Sequence, residues 1–154
     1  MAEALLRARG AGRFLALSAG SHPKGEVHPL ALRTLASARV PTASLRSKGW
    51  NEFSGPDAPK LDFVVTVCGN AAKEACPAWP GHPITAHWGI DDPAAAVGTE
   101  KERVEAFQRA YLELDRRIQL LTSLPMEKLD RPTLQQRLRD LGQESLRPGG
   151  THGR

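Results

Sequence analysis

Cysteine is scarce in this 154-residue chain: Cys68 and Cys76 are the only two. Two are too few for a disulfide scaffold, or for a zinc site built from cysteines alone. The five histidines, at 22, 28, 82, 87 and 152, show no paired ligand spacing, so no metal site is expected. Aromatic residues make up only 5% of the chain, and the net charge of +4 comes from scattered basic residues interleaved with acids. Without a basic stripe or an aromatic platform, nucleic acid is not the expected partner, and a smaller anion fits better. No apolar run approaches the roughly 20 residues needed to cross a bilayer. Met1-Ala2-Glu3 places an acid where a secretory leader carries basic residues, so the expected location is cytoplasmic, with no membrane association.

What remains is an ordinary globular balance, 40% hydrophobic and 25% charged, at a length that suits one domain with a real core. Ala2 to Arg9 reads as a helix of good helix formers, closed by Gly10 and Gly12. Arg13 to Leu17 reads as a short strand ended by Ser18-Ala19-Gly20. Pro29 suits the first turn of a second helix running to about Ala38, with Leu30, Thr34, Leu35 and Ala38 on its inner face. Phe63-Val64-Val65-Thr66-Val67 is a continuous β-branched run, as expected for a strand covered on both faces. A shorter strand is expected at Ile84 to Ala86, after an irregular loop holding Pro77, Pro80, Gly81 and Pro83. Val104, Phe107, Tyr111, Leu114, Ile118 and Leu121 form one apolar stripe on a helix over 100–121, and Thr99 with Glu102 makes its capping box. A last short helix is expected over 132–141, with Leu134, Leu138 and Leu141 on one face. Alternating strands and helices predict a parallel α/β sheet, although such folds usually open on a strand and this chain opens on a helix.

In open parallel sheets ligands bind beyond the carboxyl ends of the strands. Ser18-Ala19-Gly20, Cys68-Gly69-Asn70 and His87-Trp88-Gly89-Ile90-Asp91-Asp92-Pro93 should therefore converge. The paired carboxylates suit a proton donor, since neighbours can hold separated pKa values, and equally suit a solvated turn capping the next helix. Cys68 and Cys76, eight positions apart, read as a redox pair on a mobile loop or as buried small residues. Spacing alone leaves both choices open.

The stretches MAEALLR (1–7), SAGSHPKG (18–25), HPLAL (28–32), LRSKGWNEF (45–53), DFVVTVCGNAAKEACPAWPG (62–81) and HWGIDDPAAAVGTE (87–100) are collinear. Together they resemble thioredoxin-coupled arsenate reductases of the low-molecular-weight protein tyrosine phosphatase superfamily. The resemblance implies a three-layer α/β fold with a parallel sheet in the order 2-1-3-4. It covers residues 1–124, leaving 125–142 as a C-terminal helical extension and 143–154 as a disordered tail. It implies a relay in which a cysteine in a CX5R loop attacks arsenate, a second cysteine attacks the first and releases arsenite, and a third closes a disulfide with the second. Cys68 matches the second cysteine, Cys76 the third, and Asp92 the general acid before proline. The implied partners are arsenate or a phosphate-like oxyanion and a thioredoxin-like reductant, with glutaredoxin or glutathione as the other donor type. No cofactor is bound, and the complete protein is monomeric. Glu3 and Ser18 match positions that hold potassium in some members, and Lys48 falls near another acidic ligand, so its ammonium is expected to replace the metal.

In that family MAEALLR continues the helix after the CX5R loop, so the first strand, the loop and the primary nucleophile are expected to be missing ahead of Met1. No Cys-x5-Arg occurs in the sequence: Glu74 lies six positions after Cys68 and His82 six after Cys76. The chain as it stands is therefore expected to be inactive. Two alternatives remain. One is a phosphotyrosine phosphatase of the same fold, which needs no relay pair and favours aromatic residues where Ala94 and Ala95 stand. The other is a non-catalytic relic acting as a binding module.

Overall fold

The computed structural model describes residues 1–69, 73, 74 and 77–144. Its regular elements are α1 (Ala2–Arg9), α2 (Pro29–Ser37), β1 (Phe63–Thr66), β2 (Ile84–His87), α3 (Glu100–Ser123) and α4 (Arg131–Gln143). Short 3-10 turns lie at Trp50–Phe53, Pro93–Ala95 and Met126–Lys128. None of the described helices is long and apolar enough to cross a membrane.

The longest helix, α3, organises the rest. Thr99 and Glu102 close the expected capping box, each side chain accepting from the other's backbone N–H. Its buried residues, Ala106, Phe107, Ala110, Leu114, Arg117, Ile118 and Leu121, follow the three-and-four spacing of the stripe. This face packs against α1, α2 and α4. Each fully buried Leu, Ile or Phe contributes about 1.5–3 kcal/mol. Leu5, Leu35, Ile118 and Leu138, from four different helices, are the large side chains sealed most completely.

β1 and β2 pair in parallel, Phe63 opposite Ile84 through Thr66 opposite His87. Along β2 burial alternates: Ile84 and Ala86 face the core, and Thr85 and His87 are exposed. On the core side, α4 lies against β2 with Leu134, Leu138 and Leu141. Trp88 Nε1–H donates to the Leu138 carbonyl at 3.2 Å. A Cβ on Gly142 would stand 2.4 Å from the His87 carbonyl oxygen, so only glycine permits this approach. The buried Arg117 caps the end of α4, donating to the carbonyls of Leu141 at 3.0 Å and Glu144 at 2.9 Å.

Three expectations need correction. The stretch 13–17 is not a strand: it has no ladder partner among the described residues, and the nearest pairing there is one parallel bridge between Gly20 and Gly49. Leu15 is 79% exposed there, while Ala16 is buried. β1 is not covered on both faces, because all four of its residues are only half-buried and β2 is its one ladder partner among the described residues. On α2 the buried pair is Ala31 and Leu35. Thr34 instead turns its hydroxyl back to the Leu30 carbonyl at 2.7 Å, and Ala38 is exposed.

Candidate active site

The chemistry-bearing segments lie at the carboxyl ends of the two strands. Trp88 N–H donates to the Thr66 carbonyl at 2.8 Å, continuing the ladder past the last paired residues. A regular parallel ladder would next bring Ile90 N–H to the Cys68 carbonyl. It donates instead to Val67, at 2.6 Å. The β2 side therefore carries one extra residue, and Gly89, at φ +60°, supplies the left-handed backbone beside it. Through this bulge the segment leading into the Asp91-Asp92 turn is tied to Val67, the residue before the half-buried Cys68.

Asp92 is exposed and caps the Pro93–Ala95 turn, with Oδ1 accepting from Ala94 N–H at 3.0 Å. The turn rests on α3 around a shallow depression floored by Ala106 and Ala110 and rimmed by Asp91, Asp92 and Arg109. The turn-cap reading of Asp92 is the one this hydrogen bond shows.

The stretch after Ser18 reaches the same region. His22 Nδ1 lies 3.5 Å from Glu74 Oε1, linking the 18–25 loop to the segment that follows Cys68. Gly20 N–H donates to the Lys48 carbonyl at 3.0 Å, and Trp50 N–H donates back to Gly20 at 3.1 Å, fastening that loop to residues 48–50.

Beneath this bridge is a buried charge cluster. The Glu3 carboxylate, 4% exposed, accepts from the Ser18 hydroxyl, from Lys48 Nζ at 3.1 Å and from Arg7 Nη2 at 2.7 Å. Lys48, 9% exposed, also donates to the Arg46 carbonyl at 3.2 Å. Burial alone pushes the Glu3 carboxyl up. The Ser18 hydroxyl, the Lys48 ammonium and Arg7 together outweigh that push and hold it below the usual carboxylate range. Glu3, Ser18 and Lys48, which the resemblance groups as one cation site, meet in space. Sequence reasoning missed Arg7, although its i,i+4 spacing from Glu3 was the available signal. It also missed the Gly89 bulge, which no local spacing announces.

Cys68 follows the carboxyl end of β1, and Asp92 follows that of its parallel partner β2. Cys76 lies outside the described residues, as does the tail from 145 onward. Among the described residues no group of three or more His, Cys, Asp and Glu side chains is arranged to hold a metal.

A sequence profile described as low molecular weight phosphotyrosine protein phosphatase matches residues 1–133. The chain belongs to that family. Within the low molecular weight phosphatase family its similarities are to arsenate reductases. It is 35% identical to the arsenate reductase of Bacillus licheniformis over 119 residues, covering 77% of this chain and 81% of that protein. It is 54% identical to the arsenate reductase of Shouchella clausii over 57 residues. That match spans 37% of this chain and only 40% of the relative. The fold resembles the crystal structure of an arsenate reductase from Archaeoglobus fulgidus, with a TM-score of 0.60 and 25% identity over 80% of this chain and 88% of the other. The α/β fold of the family is thereby established for this chain.

Proposed function

We propose that this chain carries the relay half of a thiol-dependent arsenate reductase, with Cys68, Cys76 and Asp92 as its working groups. The observation that supports this reading is the Ile90–Val67 hydrogen bond, which ties the segment leading into the Asp91-Asp92 turn to the residue before Cys68. In the relay, a nucleophilic cysteine sulfur bonded to arsenic(V) is the group Cys68 attacks. A disulfide forms between the two sulfurs. The sulfur–arsenic bond breaks with its electron pair going to arsenic, which leaves as arsenite. Asp92 supplies a proton to the departing oxygen during formation of the adduct. Cys76 then attacks Cys68, freeing the first sulfur as thiolate, and an external dithiol of thioredoxin or glutaredoxin type, or glutathione, reduces the resulting pair. Such donors belong to a reducing compartment, consistent with a cytoplasmic protein.

The small Ala94 and Ala95 beside Asp92, and the second cysteine, favour this reading over a phosphotyrosine phosphatase. We assign Lys48, whose Nζ donates to the same Glu3 carboxylate that the Ser18 hydroxyl does, the place of a metal cation, so no potassium dependence is expected. The 154 residues contain no Cys-x5-Arg to hold the oxyanion. The chain alone, given arsenate and a complete thioredoxin system, is therefore expected to release no arsenite, yet its oxidised form should be reduced by thioredoxin. Sustained arsenite release would overturn the first statement. An oxidised chain that thioredoxin leaves untouched would overturn the second.

A further inference from the structure

The exposed side of the two-stranded sheet carries a histidine that the relay above does not use. Thr66 and His87 are register partners, and Thr66 Oγ1 lies 2.7 Å from His87 Nδ1. The same hydroxyl stands 3.5 Å from the Ala86 carbonyl. Nδ1 is thus engaged and the ring is oriented, leaving Nε2 as the nitrogen available for chemistry. Nε2 lies 3.4 Å from where a Cβ on Gly89 would be, so the ring leans along the strand toward its carboxyl end, over a residue with no side chain to block it. The His87 backbone is held from behind by the close approach of Gly142.

Side chains alternate along β1: Phe63, Val65 and Val67 pack on the core, and Thr66 faces the other way with His87. The period of two puts Cys68 next after Thr66 on that same exposed side. A histidine whose ring is fixed by one neighbour, on the sheet face where the alternation of β1 next places a thiol, is an arrangement suited to activating a sulfur nucleophile.

We infer that His87 is the general base for Cys68, with Thr66 as the positioning residue that fixes its ring. This rests on the relay reading for its purpose, but not for its test. As Cys68 attacks the adduct, its thiol proton passes to Nε2 and the sulfur keeps the electron pair that becomes the new S–S bond. The leaving sulfur–arsenic pair reduces arsenic as before, and imidazolium returns its proton to solvent. The charged groups on the turn that follows are Asp91 and Asp92, both exposed.

The test is the alkylation rate of Cys68 by iodoacetamide in a Cys76→Ser background, followed by peptide mass spectrometry across pH 5.5–9, a range of about the width needed to bracket an imidazole and a thiol. His87→Gln should slow the reaction at neutral pH by roughly tenfold and move its rise toward that of a free thiol. Thr66→Val should give a smaller slowing, and Thr66→Ser should restore the parent rate. Melting curves for each variant show whether it is folded, and the Thr66 pair keeps the inference testable if His87→Gln does not fold. Equal rates and pH profiles in the parent, His87→Gln and Thr66→Val would overturn the inference. Alkylation uses no arsenate, so dependence on His87 together with failure of thioredoxin reduction would reject the relay and keep the base.

Discussion

Replacing Lys48 by Met removes one cation from a buried carboxylate and keeps most of the side-chain volume. Breaking a buried pair from one side costs about 3–5 kcal/mol when nothing else compensates. Here Glu3 keeps the Ser18 hydroxyl and Arg7, and Arg7 is 39% exposed, so its charge is partly screened. A loss of about 2–3 kcal/mol is the expected result. For a domain of this size that corresponds to a melting point lower by about 5–10 °C. The pH dependence follows from the sign of the shift. The Glu3 pKa is depressed on folding, so its contribution is complete above the unfolded carboxylate value and is lost as pH falls through the folded value. Lys48→Met should raise the folded value, so the acid limb of the stability curve moves to higher pH. The assay is thermal unfolding by circular dichroism between about pH 3 and 8, a window chosen around the carboxylate range, for Lys48→Met, Glu3→Gln and the double variant. The double variant should be less destabilised than the sum of the two by about 1–2 kcal/mol. Additive single effects, or a Lys48→Met chain as stable as the parent, would refute a working Glu3–Lys48 pair.

Other outcomes follow from the packing. Gly142→Ala must push α4 off β2, because its Cβ would meet the His87 carbonyl at 2.4 Å, and should cost about 2–3 kcal/mol in chemical denaturation. Arg117→Met takes a donor from the Glu144 carbonyl and one of two donors from the Leu141 carbonyl, which keeps Glu144 N–H, and should cost about 1–3 kcal/mol, with early hydrogen exchange confined to the end of α4. Trp88→Phe removes the indole bond to Leu138 and should lower stability by about 1 kcal/mol by the same denaturation assay. Exchanging potassium for sodium should leave the melting point unchanged, since Lys48 Nζ already occupies the space beside Glu3; a clear potassium-specific rise would contradict this.

Much of the architecture was legible because it rests on local periodicity. The stripe from Val104 to Leu121, the Thr99–Glu102 box and the Leu134-Leu138-Leu141 face all appear where their spacing places them. The failure at 13–17 has a different origin. A strand exists through its ladder, and Phe14-Leu15-Ala16-Leu17 has the composition of a strand without a described partner to pair with. The half-burial of Val64 and Val65 is of the same kind, since composition reports what a segment can bury and not what covers it. At the candidate site, residue identity was readable and placement was not. Spacing alone makes Lys48 look like any surface lysine, and only the resemblance placed it with Glu3 and Ser18, where it lies. The bulge ahead of Asp91 and Asp92 depends on one hydrogen bond shifted by one residue.

The relay claim is tested most directly by adding one equivalent of Ellman's reagent to the reduced chain. A mixed disulfide at Cys68 then stands in for the disulfide that the relay would form with the attacking sulfur. The account predicts two thionitrobenzoate anions released per reagent molecule, no retained label, and a Cys68–Cys76 linkage in the peptide map, with Cys76→Ser keeping one label on Cys68. One anion released and a stable label in the chain with both cysteines intact would contradict it.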